Sequence, residues 1–332
     1  MYFIDSEGVN DPRTNLAIEE HILRNTESRE DGVFLYINEP SIILGRNQNP
    51  FEEANLQFAE ANRLPVVRRL SGGGTVYHDL GNLNFSFITD QRKEDFRNFR
   101  KFTAPMIGVL HSLGVPAQLS ERNDILVDGR KVSGNAQYIA GGRMLTHGTL
   151  LFNSNLSHLA QALKVDGSGI NSKSIKSVRS RVANISEFLA SSLDMETFQL
   201  RMLEGIFEGA GEIPRYRLTP EDWASIRQIA AERYQNWEWN FGHSPQFKLQ
   251  KRHIYPFGEI TAQLYIANGR IQSIQFSGDS VEGYSFASLE KALSGARYER
   301  QDIRAAAGER NGSEELRGLI AELAQSLGDW LI

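Results

Sequence analysis

The chain contains no cysteine, which removes disulfides, thiolate metal sites and every mechanism that needs a cysteine nucleophile. It lacks any apolar run near the roughly 18 residues needed to span a bilayer. Its start, Met1-Tyr2-Phe3-Ile4-Asp5, has neither the basic nor the apolar region of a signal peptide. No membrane association is expected, and the expected location is the cytoplasm. Excess positive charge is missing too, with 36 Lys and Arg against 41 Asp and Glu and a net charge of -5. Without an overall cationic field, nucleic acid is not expected as a partner. Also absent are the G-x-x-x-x-G-K-[ST] phosphate loop, a strand-to-helix G-x-G-x-x-G turn and any histidine pair at zinc-helix spacing. At 332 residues the chain is long enough for one large core and a second, smaller one.

What is present begins with Arg68-Arg69-Leu70-Ser71-Gly72-Gly73-Gly74-Thr75-Val76-Tyr77-His78-Asp79. Glycines lack Cβ, so they permit positive φ and close ligand approach, at a larger entropic cost of ordering. Three of them beside paired cations point to something anionic or flat against the backbone. Taken alone, the glycine run also reads as a bulged or flexible hairpin turn.

Asp11 and Pro12 read as the cap and first residue of an amphipathic helix. Two short strands follow at Val33 to Asn38 and Ser41 to Gly45, then a helix from Phe51 to Arg63 that ends before Pro65. In Asn82 to Thr89 the residues Leu83, Phe85 and Phe87 alternate with Asn82, Asn84 and Ser86, the period of a half-buried strand. The glycine loop therefore lies between strands. A helix is predicted over Phe99 to Leu113, and Asp128-Gly129 predicts a tight hairpin joining Asp124–Val127 to Lys131–Ile139. Met144 to Phe152 reads as a further strand and Leu156 to Leu163 as helix. Asp166 to Arg181 is a long, basic, Gly- and Ser-rich loop, of a kind that is often functional and otherwise a solvated connector.

Thr219-Pro220-Glu221-Asp222 opens a capped helix reaching Tyr234. Trp237 and Trp239 read as packing anchors near a domain edge at Gly242 to Pro245. Beyond it, strands at Phe247 to His253, Ile260 to Ala267 and Arg270 to Phe276, with a turn at Asn268-Gly269, precede helices over Phe286 to Leu293 and Ser313 to Leu327. These form an α+β module of about eighty residues. The expected domains are 1–245 and 246–332.

Two further constellations carry chemistry, Arg122-Asn123-Asp124 and Lys131-Val132-Ser133-Gly134-Asn135. The hairpin can bring Asp124 and Lys131 together, either as a surface salt bridge or as a site for one polyphosphate. In the second case Asp124 would help hold Mg2+, a hard cation that takes one or two carboxylates plus phosphate oxygens. Lys131 would neutralise a carboxylate and the phosphate it attacks. The scattered His78, His147 and His158 are each read first as structural, His78 least firmly because it lies within the motif.

The series Arg68-Arg69-x-Ser71-Gly72-Gly73-Gly74-x-Val76-x-His78-Asp79, Gly81-Asn82, Arg122-Asn123-Asp124 and Lys131-x-Ser133-Gly134 resembles the lipoate-protein ligase A family. His147-Gly148-Thr149, Ser177 to Val182 and Trp237 to Gly242 extend the resemblance over essentially the whole chain. It implies an α+β fold: a large mixed-sheet catalytic domain of the biotin/lipoate-ligase, class II synthetase-like type, followed by a small α+β domain. It also implies a two-step reaction with ATP, Mg2+ and lipoate, in which lipoyl-adenylate forms and the lipoyl group passes to a lysine of a lipoyl domain. The implied partners are the lipoyl domains of 2-oxoacid dehydrogenase E2 subunits and the glycine cleavage H protein.

By the same resemblance Lys131 is the catalytic residue. Arg69, Gly74, Thr75, Val76, Tyr77, Ser177 and Arg179, with Lys131, would bind ATP and the adenylate. Ser71, Gly72, Gly73, His78 and His147, again with Lys131, would bind lipoate, and Asn123 and Asp124 the metal. Acyltransferases of the same superfamily work through a cysteine thioester, which this chain cannot form. The differently arranged Arg-Gly loop of biotin ligases is not present. The remaining alternative is a non-catalytic or acceptor-restricted acyl- or nucleotide-binding paralogue, against which stand the retained Lys131, Asp124 and full glycine loop.

Overall fold

The computed structural model describes residues 1–24, 30–163, 170–172, 177, 181–208, 211–256, 258–278, 286–308 and 326–332. Two compact units emerge: Met1–Arg46, Ala61–Leu163 and Ser177–Asn236 form one, and Asn47–Glu60, Lys164–Lys176 and Trp237–Ile332 the other. The short segment from Asn47 to Glu60 thus belongs with the C-terminal part of the chain.

The first unit is built on six strands, Tyr2–Asp5 (β1), Gly32–Ile37 (β2), Asn82–Asp90 (β6), Asn135–Ala140 (β10), Arg143–Leu151 (β11) and Arg215–Arg217 (β13). Their order is β10-β11-β6-β2-β1-β13. β6 is antiparallel to β2 and β11, whereas β1 is parallel to β2 and β13, so the sheet is mixed. β6 differs from the half-buried strand its alternation predicts, because all but its last residue is buried on both faces. Leu83, Phe85 and Phe87 pack with Phe102 and Met106 of helix Phe99–Ser112 (α4) and with Phe198 and Met202 of helix Met195–Ile206 (α6). Each such side chain contributes about 1.5–3 kcal/mol by leaving water.

The other face of β6 is polar, at Asn82, Asn84 and Ser86. The Asn84 carboxamide donates to the Tyr36 carbonyl at 3.2 Å, and the Ser86 hydroxyl donates to the Glu19 carboxylate. Glu19 lies on helix Pro12–Arg24 (α1). The Asp11 side chain caps α1, accepting from the Thr14 amide at 3.0 Å and its hydroxyl at 2.7 Å.

Two small sheets carry the sequence motifs. In one, Ser41–Leu44 (β3) lies between Val66–Arg68 (β4), to which it is parallel, and Val76–His78 (β5), to which it is antiparallel. In the other, Ala117–Leu119 (β7), Ile125–Val127 (β8) and Arg130–Ser133 (β9) form an antiparallel meander. Asp128 and Gly129, at φ 49° and 73°, make the tight turn predicted between β8 and β9. The expected single strand from Lys131 to Ile139 is broken at Gly134. Its first half pairs with β8 and its second, as β10, with β11, so the chain changes sheets at that glycine.

The predicted helix over residues 51–63 is two helices, Pro50–Glu53 (α2) and Leu56–Ala61 (α3). Ala54 is extended, and the Asn55 carboxamide restarts the helix by accepting from the Phe58 amide at 3.0 Å. Helix Leu156–Ala162 (α5) agrees with its prediction. Helix Pro220–Ile229 (α7) opens with a Thr219–Asp222 capping box and continues as a π-helical turn over Ala230–Tyr234.

In the second unit, Asn171–Ser172 (β12), Phe247–Tyr255 (β14), Gly258–Ala267 (β15) and Arg270–Ser277 (β16) form an antiparallel sheet with helices Ala287–Leu293 (α8) and Arg300–Gly308 (α9). Phe51 packs into its core with Phe247 and Tyr298. Trp239 is buried, and Trp237 stacks on Phe241 beneath the Arg297 guanidinium. α9 was not expected from the sequence, and most of the helix predicted over 313–327 lies outside the described residues. Among the described residues no helix is long and apolar enough to cross a membrane.

Candidate active site

The glycine loop joins β4 to β5, and Arg69 organises it from within. The Arg69 guanidinium is buried and donates to the Ser71 hydroxyl at 3.0 Å and to the carbonyls of Ile43 at 3.2 Å, Gly72 at 2.7 Å and Gly74 at 2.8 Å. Burial pushes its pKa down to about 10, opposed by the negative charge of Glu19. Arg68 is also buried and donates to the Gly45 and Arg46 carbonyls. Gly73 has φ +90°, which disfavours a side chain there, and a Cβ on it would lie 3.0 Å from the Arg69 side chain. That same position is 4.0 Å from the Ala136 Cβ, so the loop tip abuts β10.

Ser177 meets the loop on another side. Its hydroxyl accepts from the Thr75 amide at 2.9 Å, and a Cβ on Gly74 would come within 3.0 Å of that oxygen. The structure therefore brings together Gly74, Thr75 and Ser177, three of the residues expected to bind the adenylate. Val76, Tyr77 and His78 form β5, with Tyr77 buried and paired opposite Ile42. Burial, with the charge of Asp79, pushes the Tyr77 phenol up to about 12. Arg179 lies outside the described residues, as do Lys173 and Lys176 of the basic loop.

Ser71 and His147, expected at the lipoate site, are in direct contact. The Ser71 hydroxyl is 2.6 Å from His147 Nε2, and His147 Nδ1 is 3.1 Å from both Glu19 carboxylate oxygens. A carboxylate facing Nδ1 places the ring proton there, so Nε2 accepts from Ser71, whose oxygen in turn accepts from Arg69. Glu19 also accepts from Tyr36 at 3.0 Å and from Ser86. His78 stands apart from this chain: its Nδ1 is 2.9 Å from the Asn38 carboxamide nitrogen, and its buried Nε2 has no hydrogen-bond partner among the described residues. Glu19 and Asn38 escape sequence reading. A paired Glu19-Glu20 in a helix otherwise rich in buried apolar residues is the one local signal for the first.

Lys131 projects from β9, with its ammonium 2.9 Å from Asp124 Oδ1. A Cβ on Gly134 would sit 3.0 Å from that nitrogen, so glycine leaves the room the ammonium occupies. Lys131 also has its backbone pinned, its amide donating to the Arg181 carbonyl at 2.8 Å and its carbonyl accepting from the Ala183 amide at 3.1 Å. Asn123 is a turn residue with φ 65°, and its carbonyl accepts from the Asn135 carboxamide at 2.7 Å. Among the described residues no group of three or more His, Asp or Glu is arranged to hold a metal unaided. One carboxylate at Asp124 still fits a cation that takes most of its ligands from phosphate and water.

The arrangement is a buried polar cradle carrying a glycine backbone, with a paired ammonium one strand crossing away through Gly134. It can neutralise two anions brought to the same place.

Residues 11–207 match the lipoyl protein ligase A/B catalytic domain family, and residues 244–327 match the bacterial lipoate protein ligase C-terminus. The chain is 51% identical over 305 residues to lipoate-protein ligase LplJ of Bacillus subtilis, covering 91% of this chain and 92% of that protein. Among solved structures it is similar to the bi-partite lipoate protein ligase studied with its E2 lipoyl domain from Thermoplasma acidophilum. The TM-score there is 0.63 at 26% identity, over 73% of this chain and 96% of that one. A lipoate-protein ligase A bound with ATP matches with a TM-score of 0.60 at 27% identity, over 70% of this chain and 95% of that one.

Proposed function

The chain belongs to the lipoate-protein ligase family, and we propose that it activates free lipoate with ATP and transfers the lipoyl group to a lysine of a carrier domain. A lipoate carboxylate oxygen attacks the α-phosphorus of ATP, the bond to the departing pyrophosphate breaks, and lipoyl-adenylate forms. The lysine amine of the carrier then attacks the acyl carbon and displaces AMP. The observation that carries this reading is Lys131, a cation held by Asp124 and given room by Gly134. A cation there offsets the repulsion between carboxylate and phosphate and stabilises the charge that develops on displacement.

In this reading Gly74, Thr75, Val76, Tyr77, Ser177 and Arg179 bind the adenylate, and Ser71, Gly72, Gly73, His78 and His147 bind the lipoyl chain. Arg69 serves the adenylate by fixing the loop carbonyls, to which most of its donors are already committed. Mg2+ is proposed at Asp124 and Asn123, where it would screen the phosphate charge. The acceptors are the lipoyl domains of 2-oxoacid dehydrogenase E2 subunits and the glycine cleavage H protein, modified in the cytoplasm. Residues 1–245 carry the catalysis and 246–332 are accessory.

Lipoate-dependent exchange of labelled pyrophosphate into ATP tests the first step. Intact protein is expected to catalyse it, and a folded chain with no exchange would sink the ligase reading. Lys131→Ala is expected to lower exchange by about a hundredfold or more. Its stability should change by less than about 1 kcal/mol, because the ion pair is partly exposed. Retained exchange would show that the catalytic cation lies elsewhere.

A further inference from the structure

β10 forms one border of the main sheet. It pairs with β11 on one side, and among the described residues no strand lies along the other. The Gly134 carbonyl accepts from the Thr149 amide at 3.1 Å, which fixes the alternation, so Ala136, Tyr138 and Ala140 bond to β11 through their backbones. Asn135, Gln137 and Ile139 therefore turn their amides and carbonyls outward, and no backbone group among the described residues meets them. Edge strands are ordinarily blunted by lysine, proline or a bulge, because unpaired groups in a row are a template for another chain. Asn135–Ala140 has no charge, no proline and an unbroken register.

The two faces of this edge differ. On one, Ala136 meets the tip of the glycine loop, 4.0 Å from where a Cβ on Gly73 would stand, and Tyr138 lies beneath the guanidinium of exposed Arg46, 5.6 Å from its ring centre. On the other, the Gln137 carboxamide accepts from the Arg97 amide at 2.7 Å and donates to the Asp95 carbonyl at 3.3 Å. That bridge spans Phe96, which is 49% exposed, and ends on Arg97 at φ 63°. The same stretch carries Arg92, Lys93, Arg97, Arg100 and Lys101 against Glu94 and Asp95. The flank of the edge is thus positive in a chain whose net charge is -5.

We propose that the outer edge of β10 is the docking surface for the acceptor, which adds an extended segment flanked by carboxylates as a further strand. The identity of the occupant rests on the ligase reading. Directly opposed residues on neighbouring strands share a face, so a residue opposite Ala136 faces the glycine loop. A lysine there or next to it enters where the adenylate is proposed to lie. A second copy of this chain would bring a like-charged flank to the junction, whereas an acidic carrier offsets the charge.

The test uses the full chain, a purified lipoyl domain and two variants. Gln137→Pro removes an outward donor without taking a bond from β11, and Gln137→Ala loses the carboxamide but keeps that donor. Transfer from synthetic lipoyl-adenylate is expected to show a KM for the domain raised about tenfold more by the proline than by the alanine. Lipoate-dependent pyrophosphate exchange, which needs no acceptor, should match the wild type in both. Equal KM values for the two variants would overturn the assignment, since the side chain or nothing at this position would then matter. Amide exchange of the wild-type chain decides the question even where the proline variant does not fold: the Gln137 and Ile139 amides are expected to slow when the lipoyl domain saturates the protein, and unchanged rates would overturn the proposal. A wild-type dimer on size-exclusion chromatography that Gln137→Pro converts to monomer would also overturn it, by giving the edge to a second copy. Slowed edge amides in a protein without pyrophosphate exchange would remove the ligase reading and leave the docking edge standing. Exchange and transfer with no slowing would do the reverse.

Discussion

His78 is buried beside Asn38, and burial, reinforced by the positive charge of Arg69 and by His147, pushes its imidazole down to about 3. In the unfolded chain a histidine titrates near 6.5. Above that pH the ring is neutral in both states and its contribution to stability is complete. Below it the unfolded chain binds a proton that the native state refuses, so stability falls by up to about 1.4 kcal/mol per pH unit until the native ring titrates near pH 3. His78→Gln should therefore show a shallower loss of stability than the wild type between pH 6.5 and 4, measured by urea unfolding at each pH. Parallel curves would mean that the buried ring is not the titrating group. The candidate residues differ in how far sequence discloses them. Asp124 and Lys131 are legible because a tight turn brings them together, whereas Glu19 and His147 lie 128 residues apart and meet only through the packing of α1 on the main sheet.

At the scale of elements, the link from β5 to β6 is the most constrained turn near the site. The Gly81 carbonyl accepts from the amides of Phe152 and Asn153, and a Cβ on Gly81 would stand 2.0 Å from the Asn153 carbonyl oxygen. The obstacle is backbone, which cannot rotate aside. Gly81→Ala should cost about 3 kcal/mol or more, as other severe packing conflicts do, and a thermal melt would reveal it. A melting temperature within a degree or so of the wild type would show that the connection yields. Strands long enough to alternate, such as β6 and β11, are readable in the sequence, as are turns made by Asp128-Gly129 and Asn268-Gly269. β1 and β13, of four and three residues, carry too few alternations to register. The break between α2 and α3 is hidden because Asn55 resembles any other polar residue in a helical pattern until its side chain caps the following turn.

Across the whole molecule, the two compact units are not two consecutive stretches of chain. Asn47–Glu60 leaves the first unit and returns, taking Phe51 into the aromatic core of the second. A protein ended at residue 245 would keep Phe51 while losing Phe247 and Tyr298, against which it packs. Such a fragment should melt at a lower temperature and self-associate on size-exclusion chromatography, since exposed aromatic surface favours association. A monomeric fragment with the full-length melting temperature would contradict this. Composition and the Asn268-Gly269 hairpin announce a C-terminal module, but an insertion of fourteen residues into it, contributed from far upstream, has no local signature.

β6 has a further consequence, which concerns time. It is paired along both edges and buried on both faces, so its amides should trade hydrogen for deuterium only when the entire unit opens. The strand that grips Glu19 through Ser86 is therefore a slow clock. The hairpin bearing Lys131 borders an open cavity and keeps a faster one. One cradle thus holds its residues from a strand that opens only with its whole unit, and its neighbour holds Lys131 from a hairpin whose edge meets water.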